Sequence, residues 1–154
     1  MRKLKIYLDT SIINFAIDAR SPKEKEITLV FFDEIKKGKY DIFISELVTA
    51  EIDKAPKEIA EKLRSVIQKL SPEELAITEE AEILADKYIE QGIIPIKYAN
   101  DAAHIAIASV SDLDIVLSWN FEHMVKHKTR VEVMGVNTFM GYKTIDICTP
   151  QEVV

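Results

Sequence analysis

Leu4-Lys5-Ile6-Tyr7-Leu8-Asp9-Thr10-Ser11 is a short apolar run that stops on an acid and two hydroxyls. Leu4, Ile6 and Leu8 alternate with Lys5 and Tyr7, the two-residue period of a β-strand, so Asp9 is delivered to the strand's C-terminal end. Similar runs recur downstream. Ile42-Phe43-Ile44 predicts a short buried strand, and Ser45 after it can cap a helix that carries Leu47, Val48, Ala50, Glu51 and Ile52. Ile115-Val116-Leu117 predicts another, ending at Ser118-Trp119-Asn120, and Thr144 to Cys148 a last one before Pro150. Between the strands the period changes to that of a helix. After Ser21-Pro22, Ile27, Val30, Phe31 and Ile35 form one face ending at Gly38. Pro56 starts a second helix with Ile59, Leu63, Val66, Ile67 and Leu70 on its face, closed by Ser71-Pro72. A short apolar piece, Leu75-Ala76-Ile77, precedes a helix across Ala81, Leu84, Ala85, Tyr88 and Ile89 that stops at Gly92. Asn100 or Asp101 opens a small-residue helix, and another spans Val131 to Met140 with Gly141 as its stop. Strands alternating with helices imply an α/β fold, a three-layer α/β/α sandwich around a mostly parallel central sheet. No linker or repeat interrupts it, so residues 1–154 read as a single domain.

Composition narrows the function. At 47% hydrophobic, 154 residues suffice for one sizeable core and leave no room for a second catalytic domain. The net charge of −6 argues against general affinity for polyphosphate, so any nucleic-acid contact is local. The lone Cys148 excludes an internal disulfide and suits a reducing compartment, which makes the cytoplasm the expected location. The basic start, Met1 to Lys5, resembles the opening of a signal peptide, but Asp9 cuts the apolar run short and no membrane span follows. With four glycines in all, there is neither a P-loop nor a glycine-rich dinucleotide turn.

In open α/β sheets, ligands sit beyond the carboxyl ends of the strands. Asp9 and Asn120 fall there directly, Glu51 lies about two turns into the helix after its strand, and Asp101 begins a helix beside the sheet. Clustered carboxylates suit hard cations such as Mg²⁺ and Mn²⁺, which prefer oxygen ligands and can bring a phosphodiester to the acids despite their charge. Each acid also has a structural reading: Asp9 and Asp101 as turn or cap residues, and Glu51 as a solvated helix position.

The sequence resembles the PIN-domain family, including its VapC-like prokaryotic ribonucleases. Tyr7-Leu8-Asp9-Thr10-Ser11 is similar to the opening PIN motif, Ile44-Ser45-Glu46-Leu47-Val48-Thr49-Ala50-Glu51-Ile52 to the second acidic segment, and Asn100-Asp101-Ala102-Ala103-His104-Ile105-Ala106 to the third. Leu117-Ser118-Trp119-Asn120-Phe121 resembles the fourth, with Asn120 where the family pattern has an acid, and the tail from Gly141-Tyr142 to Glu152 resembles the terminal strand region. The resemblance implies metal-ligand roles for Asp9, Glu51 and Asp101, polar roles beside them for Ser118 and Asn120, and a supporting hydrogen bond from Thr10 or Ser11. It further implies Mg²⁺ or Mn²⁺ as cofactor, cleavage of single-stranded RNA by a metal-activated water, an antitoxin as partner, and a homodimer. Asn120 keeps open a non-cutting member that binds RNA or a partner protein. An unrelated phosphatase with Asp9 as nucleophile fits less well, because Ser11 stands where its second acid belongs.

Other residues are ambiguous. His123 and His127, at i and i+4, suit zinc in spacing but lack a third ligand and read as surface residues. With Lys126, Lys128 and Arg130 they form a basic cluster suited to phosphate contact or to plain solvation. His104 either supports Asp101 or packs, with packing the first expectation. Trp119 is a core residue or a base-stacking one, Cys148 a buried strand residue, and Glu46 a solvated one. The Ile59 to Leu70 stripe serves either the core or a dimer.

Overall fold

A computed structural model describes residues 2–154; Met1, part of the basic start, lies outside the described residues. The elements follow in the order β1 (Leu4–Leu8), α1 (Thr10–Phe15), α2 (Pro22–Lys36), β2 (Tyr40–Ser45), α3 (Glu46–Asp53), α4 (Lys57–Leu70), β3 (Glu73–Leu75) and α5 (Glu79–Glu90). Then come a 3₁₀ turn (Ile96–Tyr98), α6 (Ala99–Val110), β4 (Ile115–Leu117), α7 (His127–Met140), β5 (Asp146–Cys148) and α8 (Pro150–Val153). The sheet order is β3-β2-β1-β4-β5, and every strand pair is parallel. Parallel neighbours require crossover connections, and helices supply them. α1, α2, α4 and α8 pack among themselves, as do α5, α6 and α7, giving two helical layers around the sheet.

β1 is the central strand, and this changes how its pattern reads. Tyr7, expected on the polar side of an alternation, is fully buried together with Ile6 and Leu8. A strand with neighbours on both edges and helices on both faces has no solvent side, so only its start, Leu4 and Lys5, retains exposure. Removing side chains such as Ile6 and Leu8 from water stabilises the fold by about 1.5–3 kcal/mol each.

α2 is rotated slightly from the expected face: Thr28, Phe31, Phe32 and Ile35 are buried, while Val30 is 43% exposed. A polar residue can point inward here because Thr28 Oγ1 donates to the Glu24 carbonyl (2.7 Å) and accepts from the Trp119 indole N–H (2.9 Å). Trp119 is thereby a core residue. On α4, Ala60, Leu63 and Leu70 are buried and Val66 and Ile67 half-buried, so the core takes most of the stripe and leaves Ile59 exposed. Ser71 closes α4 in the left-handed region (φ 51°), and Gly141 does the same for α7 (φ 87°), where glycine carries no Cβ penalty. Of the Leu75-Ala76-Ile77 piece only Leu75 lies in a strand, the edge strand Glu73–Leu75. Two short helices, α1 and α8, have no counterpart in the sequence pattern. α8 is opened by a capping box between Thr149 and Glu152. No described helix is long and apolar enough to cross a membrane.

Candidate active site

Asp9 ends β1, its own N–H donating to the Leu117 carbonyl (3.2 Å) as if the sheet continued one residue further. Its side chain then turns to cap α1, accepting from the Ile12 N–H at 3.3 Å. The capping reading of Asp9 is therefore correct as far as it goes, but the carboxylate does more. It also accepts from Ser11 Oγ (2.5 Å) on one oxygen and from Ser118 Oγ (2.5 Å) on the other. Ser118 Oγ in turn accepts from the Asn120 N–H (2.9 Å), and Ser11 Oγ from the Trp119 N–H (2.9 Å). The ends of β1 and β4 are thus sewn together around one carboxylate that is 4% exposed. Burial pushes the Asp9 carboxyl above the usual carboxylate range in spite of these hydrogen bonds.

Asp101 behaves differently from the expected cap. α6 opens at Ala99 with no side-chain cap, and Asp101 is the third residue of its first turn. The carboxylate instead accepts from Asn120 Nδ2 (3.0 Å), while Asn120 Oδ1 accepts from the His123 N–H (3.0 Å). Asn120, the residue standing for an acid, ties the loop after β4 to the acid on α6. Burial first, and the nearby Asp9 charge with it, raise the Asp101 carboxyl. Two half-desolvated or fully desolvated acids that repel each other form a strained pair, which a cation would relieve.

Glu51 reaches the same region from α3, which Ser45 caps as expected through Leu47 N–H (3.2 Å). Its Oε1 accepts from Thr10 Oγ1 (2.7 Å) and from His104 Nε2 (2.6 Å). Burial alone would raise this carboxyl, but the hydrogen bonds from His104, Thr10 and Asn100 outweigh it and hold Glu51 below its ordinary range. His104 accordingly does more than pack, and its direct partner is Glu51 rather than Asp101: it is buried, bonded to Glu51, and backed by the Tyr7 hydroxyl at 2.6 Å on Nδ1. Its spacing of three residues from Asp101 was the only signal available in the sequence.

Among the described residues no three His, Cys, Asp or Glu side chains converge into a ready-made ion site. Glu51 Oε1 is instead engaged by Thr10 and His104. The donor chemistry still fits a hard cation, because Asp9 and Asp101 are oxygen ligands close enough for their charges to interact, and Asp9 Oδ2 and Asp101 Oδ2 each accept a single hydrogen bond, from Ser118 and Asn120.

The remaining candidates sort cleanly. His123 is not a surface residue: its ring stacks on Tyr98 with centroids 3.8 Å apart, and Nε2 is buried without a hydrogen-bond partner, Glu122 lying only at a loose 3.5 Å. His127 is exposed at the start of α7. Arg130 leaves the basic cluster, because Asp146 (3.1 Å) and Glu152 (3.6 Å) pair with it, while Lys126 and Lys128 remain exposed. Cys148 is buried, which raises its thiol to about 12 and removes it as a nucleophile. Glu46 is exposed as expected and accepts from the Ile77 N–H (3.1 Å).

No protein-family model and no curated protein matches the sequence. Solved structures do match. VapBC2 from Rickettsia felis, crystallised with a DNA fragment from its promoter, aligns with a TM-score of 0.58 at 18% identity, over 94% of this chain and 97% of that one. The chain shares this fold. A second VapC structure, VapC20 of Mycobacterium tuberculosis, a sarcin-ricin loop cleaving toxin, aligns at a TM-score of 0.52 and 14% identity, over 77% of this chain and 92% of that one. In this VapC-type fold, Asp9, Thr10, Ser11, Glu51, Asp101, Ser118 and Asn120 are joined by hydrogen bonds or by charge at the C-terminal ends of β1 and β4.

Proposed function

We propose that this chain is a metal-dependent endoribonuclease that cleaves single-stranded RNA, acting as the toxin of a toxin-antitoxin pair. The observation that carries the reading is the linking of Asp9, buried, and Asp101, half-buried, through the hydrogen bonds of Ser118 and Asn120 at the end of the central strand of a VapC-type fold. Mg²⁺ or Mn²⁺, when bound, supplies the positive charge that draws in a phosphodiester and acidifies a water. The chain's own residues do the positioning. Ser11 and Ser118 fix both oxygens of Asp9, so the carboxylate faces substrate in one orientation and needs no reordering. Asn120 holds Asp101 in place as a neutral donor, and Glu51 is kept ionised at the edge of the site as an acceptor for a proton or a cation. By analogy with the VapBC2 assembly, the partner is a VapB-type antitoxin; a homodimer and a cytoplasmic location complete the proposal.

A second reading is supported by Asn120, a neutral amide bonded to Asp101 where an acid would add charge: a module that binds RNA or a partner protein without cutting. The deciding experiment incubates purified protein with single-stranded RNA in Mg²⁺, Mn²⁺ or EDTA, with Glu51→Gln and Asp9→Asn beside it. Metal-dependent cleavage lost in both variants supports the nuclease. RNA binding with no cleavage in any metal selects the second reading.

A further inference from the structure

Ser45, Tyr7, His104 and Glu51 form an unbroken chain, buried as far as His104 and ending on half-buried Glu51: Ser45 Oγ to Tyr7 Oη is 2.8 Å, Tyr7 Oη to His104 Nδ1 is 2.6 Å, and His104 Nε2 to Glu51 Oε1 is 2.6 Å. It runs through each element that carries an acid. Tyr7 lies two residues before Asp9 on β1, Ser45 caps the helix that bears Glu51, and His104 sits one turn beyond Asp101 on α6.

The direction of every hydrogen follows from the first link. Ser45 is fully buried, and its oxygen already accepts from the Leu47 N–H. Its own hydrogen has one acceptor within reach, the Tyr7 oxygen, and leaving a buried hydroxyl hydrogen unpaired is costly. Tyr7, an ordinary phenol and so protonated at neutral pH, then sends its hydrogen to His104 Nδ1, 2.6 Å away. Nδ1 must therefore be bare, and the ring hydrogen sits on Nε2, where it meets an acceptor-only carboxylate.

We propose that His104 is a positioning residue for the nuclease site, holding Glu51 at the acid cluster through an Nε2–H hydrogen bond whose tautomer is set by Tyr7 and Ser45. The proposal rests on the nuclease reading for its consequence in catalysis, and on the hydrogen-bond geometry alone for its structural content. Partners of this kind, one step behind the groups that bind a cation, typically change affinity or activity by about 10- to 100-fold when removed. Gln at position 104 keeps an N–H donor for Glu51; Leu keeps the bulk and loses it. Tyr7→Phe keeps the packing and removes the group that selects the tautomer.

The test uses the whole chain with three measurements. Ring ¹⁵N spectra of the metal-free protein are expected to show His104 protonated at Nε2 and bare at Nδ1, with that selection relaxed in Tyr7→Phe. Mn²⁺ titration by calorimetry is expected to show affinity about 10- to 100-fold weaker in His104→Leu, with most of it restored in His104→Gln. RNA cleavage is expected to lose kcat rather than gain KM in His104→Leu, since the residue does not touch substrate. A wild-type ring protonated at Nδ1, or a well-folded His104→Leu protein with unchanged Mn²⁺ affinity, overturns the positioning role. A wild type that fails to cleave RNA in any metal, while the ring state and Mn²⁺ affinities come out as expected, overturns the nuclease reading and leaves the positioning role standing.

Discussion

Asp101→Asn separates a structural acid from a functional one, because at this position the two roles lead to opposite results. The amide keeps the volume, and its oxygen can accept the hydrogen bond from Asn120 Nδ2. No helix cap is lost, since α6 is not capped by a side chain. What disappears is a charge that burial and Asp9 already disfavour. For a carboxyl whose folded pKa is raised, ionisation weakens folding, so stability rises as pH falls from neutral through the raised value toward the unfolded one. In EDTA at neutral pH the variant is therefore expected to melt at or above the wild-type temperature and to gain less from acidification. With metal the order reverses. At Mn²⁺ about 100-fold above the wild-type Kd, binding adds about 2.7 kcal/mol, and a variant that binds tenfold more weakly gains only about 1.4 kcal/mol. For a chain of this size that is an increase in Tm of about 5–11 °C against about 3–6 °C. Differential scanning fluorimetry of both proteins, in EDTA and across an Mn²⁺ series, reads the difference, and RNA cleavage should fall by orders of magnitude alongside it. A variant with the wild-type Mn²⁺ shift and the wild-type cleavage rate would refute the placing of Asp101 in a metal site.

Three further outcomes follow from the same contacts. Asn120→Asp puts a carboxylate against Asp101 in place of a donor, so it should destabilise the protein in EDTA by about 1.5–3 kcal/mol yet tighten Mn²⁺ binding; an unchanged calorimetric titration would remove Asn120 from the site. Asp114, held down to about 2 by Lys5 N–H, Arg2 and Lys143 in spite of burial, contributes stability above its ordinary 3.8 that is lost as pH falls toward about 2. Asp114→Asn should flatten that limb of the acid denaturation curve, and an identical curve would show that the clamp contributes nothing. Replacing Lys126 and Lys128 with Ala should reduce the slope of RNA affinity against salt by about 1.4, two phosphate contacts on a single strand, whereas Arg130→Ala, already paired with Asp146 and Glu152, should act mainly on stability.

Much of the architecture is local and so could be read from residue order. The β1 run, the Ser45 cap, the helix of small residues after Asn100 and the Gly141 stop are each set by neighbours within a few positions, where steric preference and hydrophobic period act directly. The three acids were visible because each lies at or near an element boundary, where an acid interrupting apolar residues stands out. α1 and α8 were not visible, since helices this short carry too few turns to show a period and owe their formation to Asp9 and to the Thr149 capping box.

The harder residues were those whose role depends on what comes from elsewhere in the chain. Tyr7 looked outward-facing until β2 and β4 closed on both edges of β1, and Val30 looked inward until Thr28 found Trp119 across 91 residues. His104 is the clearest case. Its place on the buried side of α6 was compatible with simple packing, and its meeting with Glu51, 53 residues away, exists only once α3 packs beside β2 and α6 beside β4. Periodicity tells which face of an element turns inward; which polar groups then meet, and in which protonation state, depends on long-range packing that brings their hydrogen-bonding atoms within 3 Å.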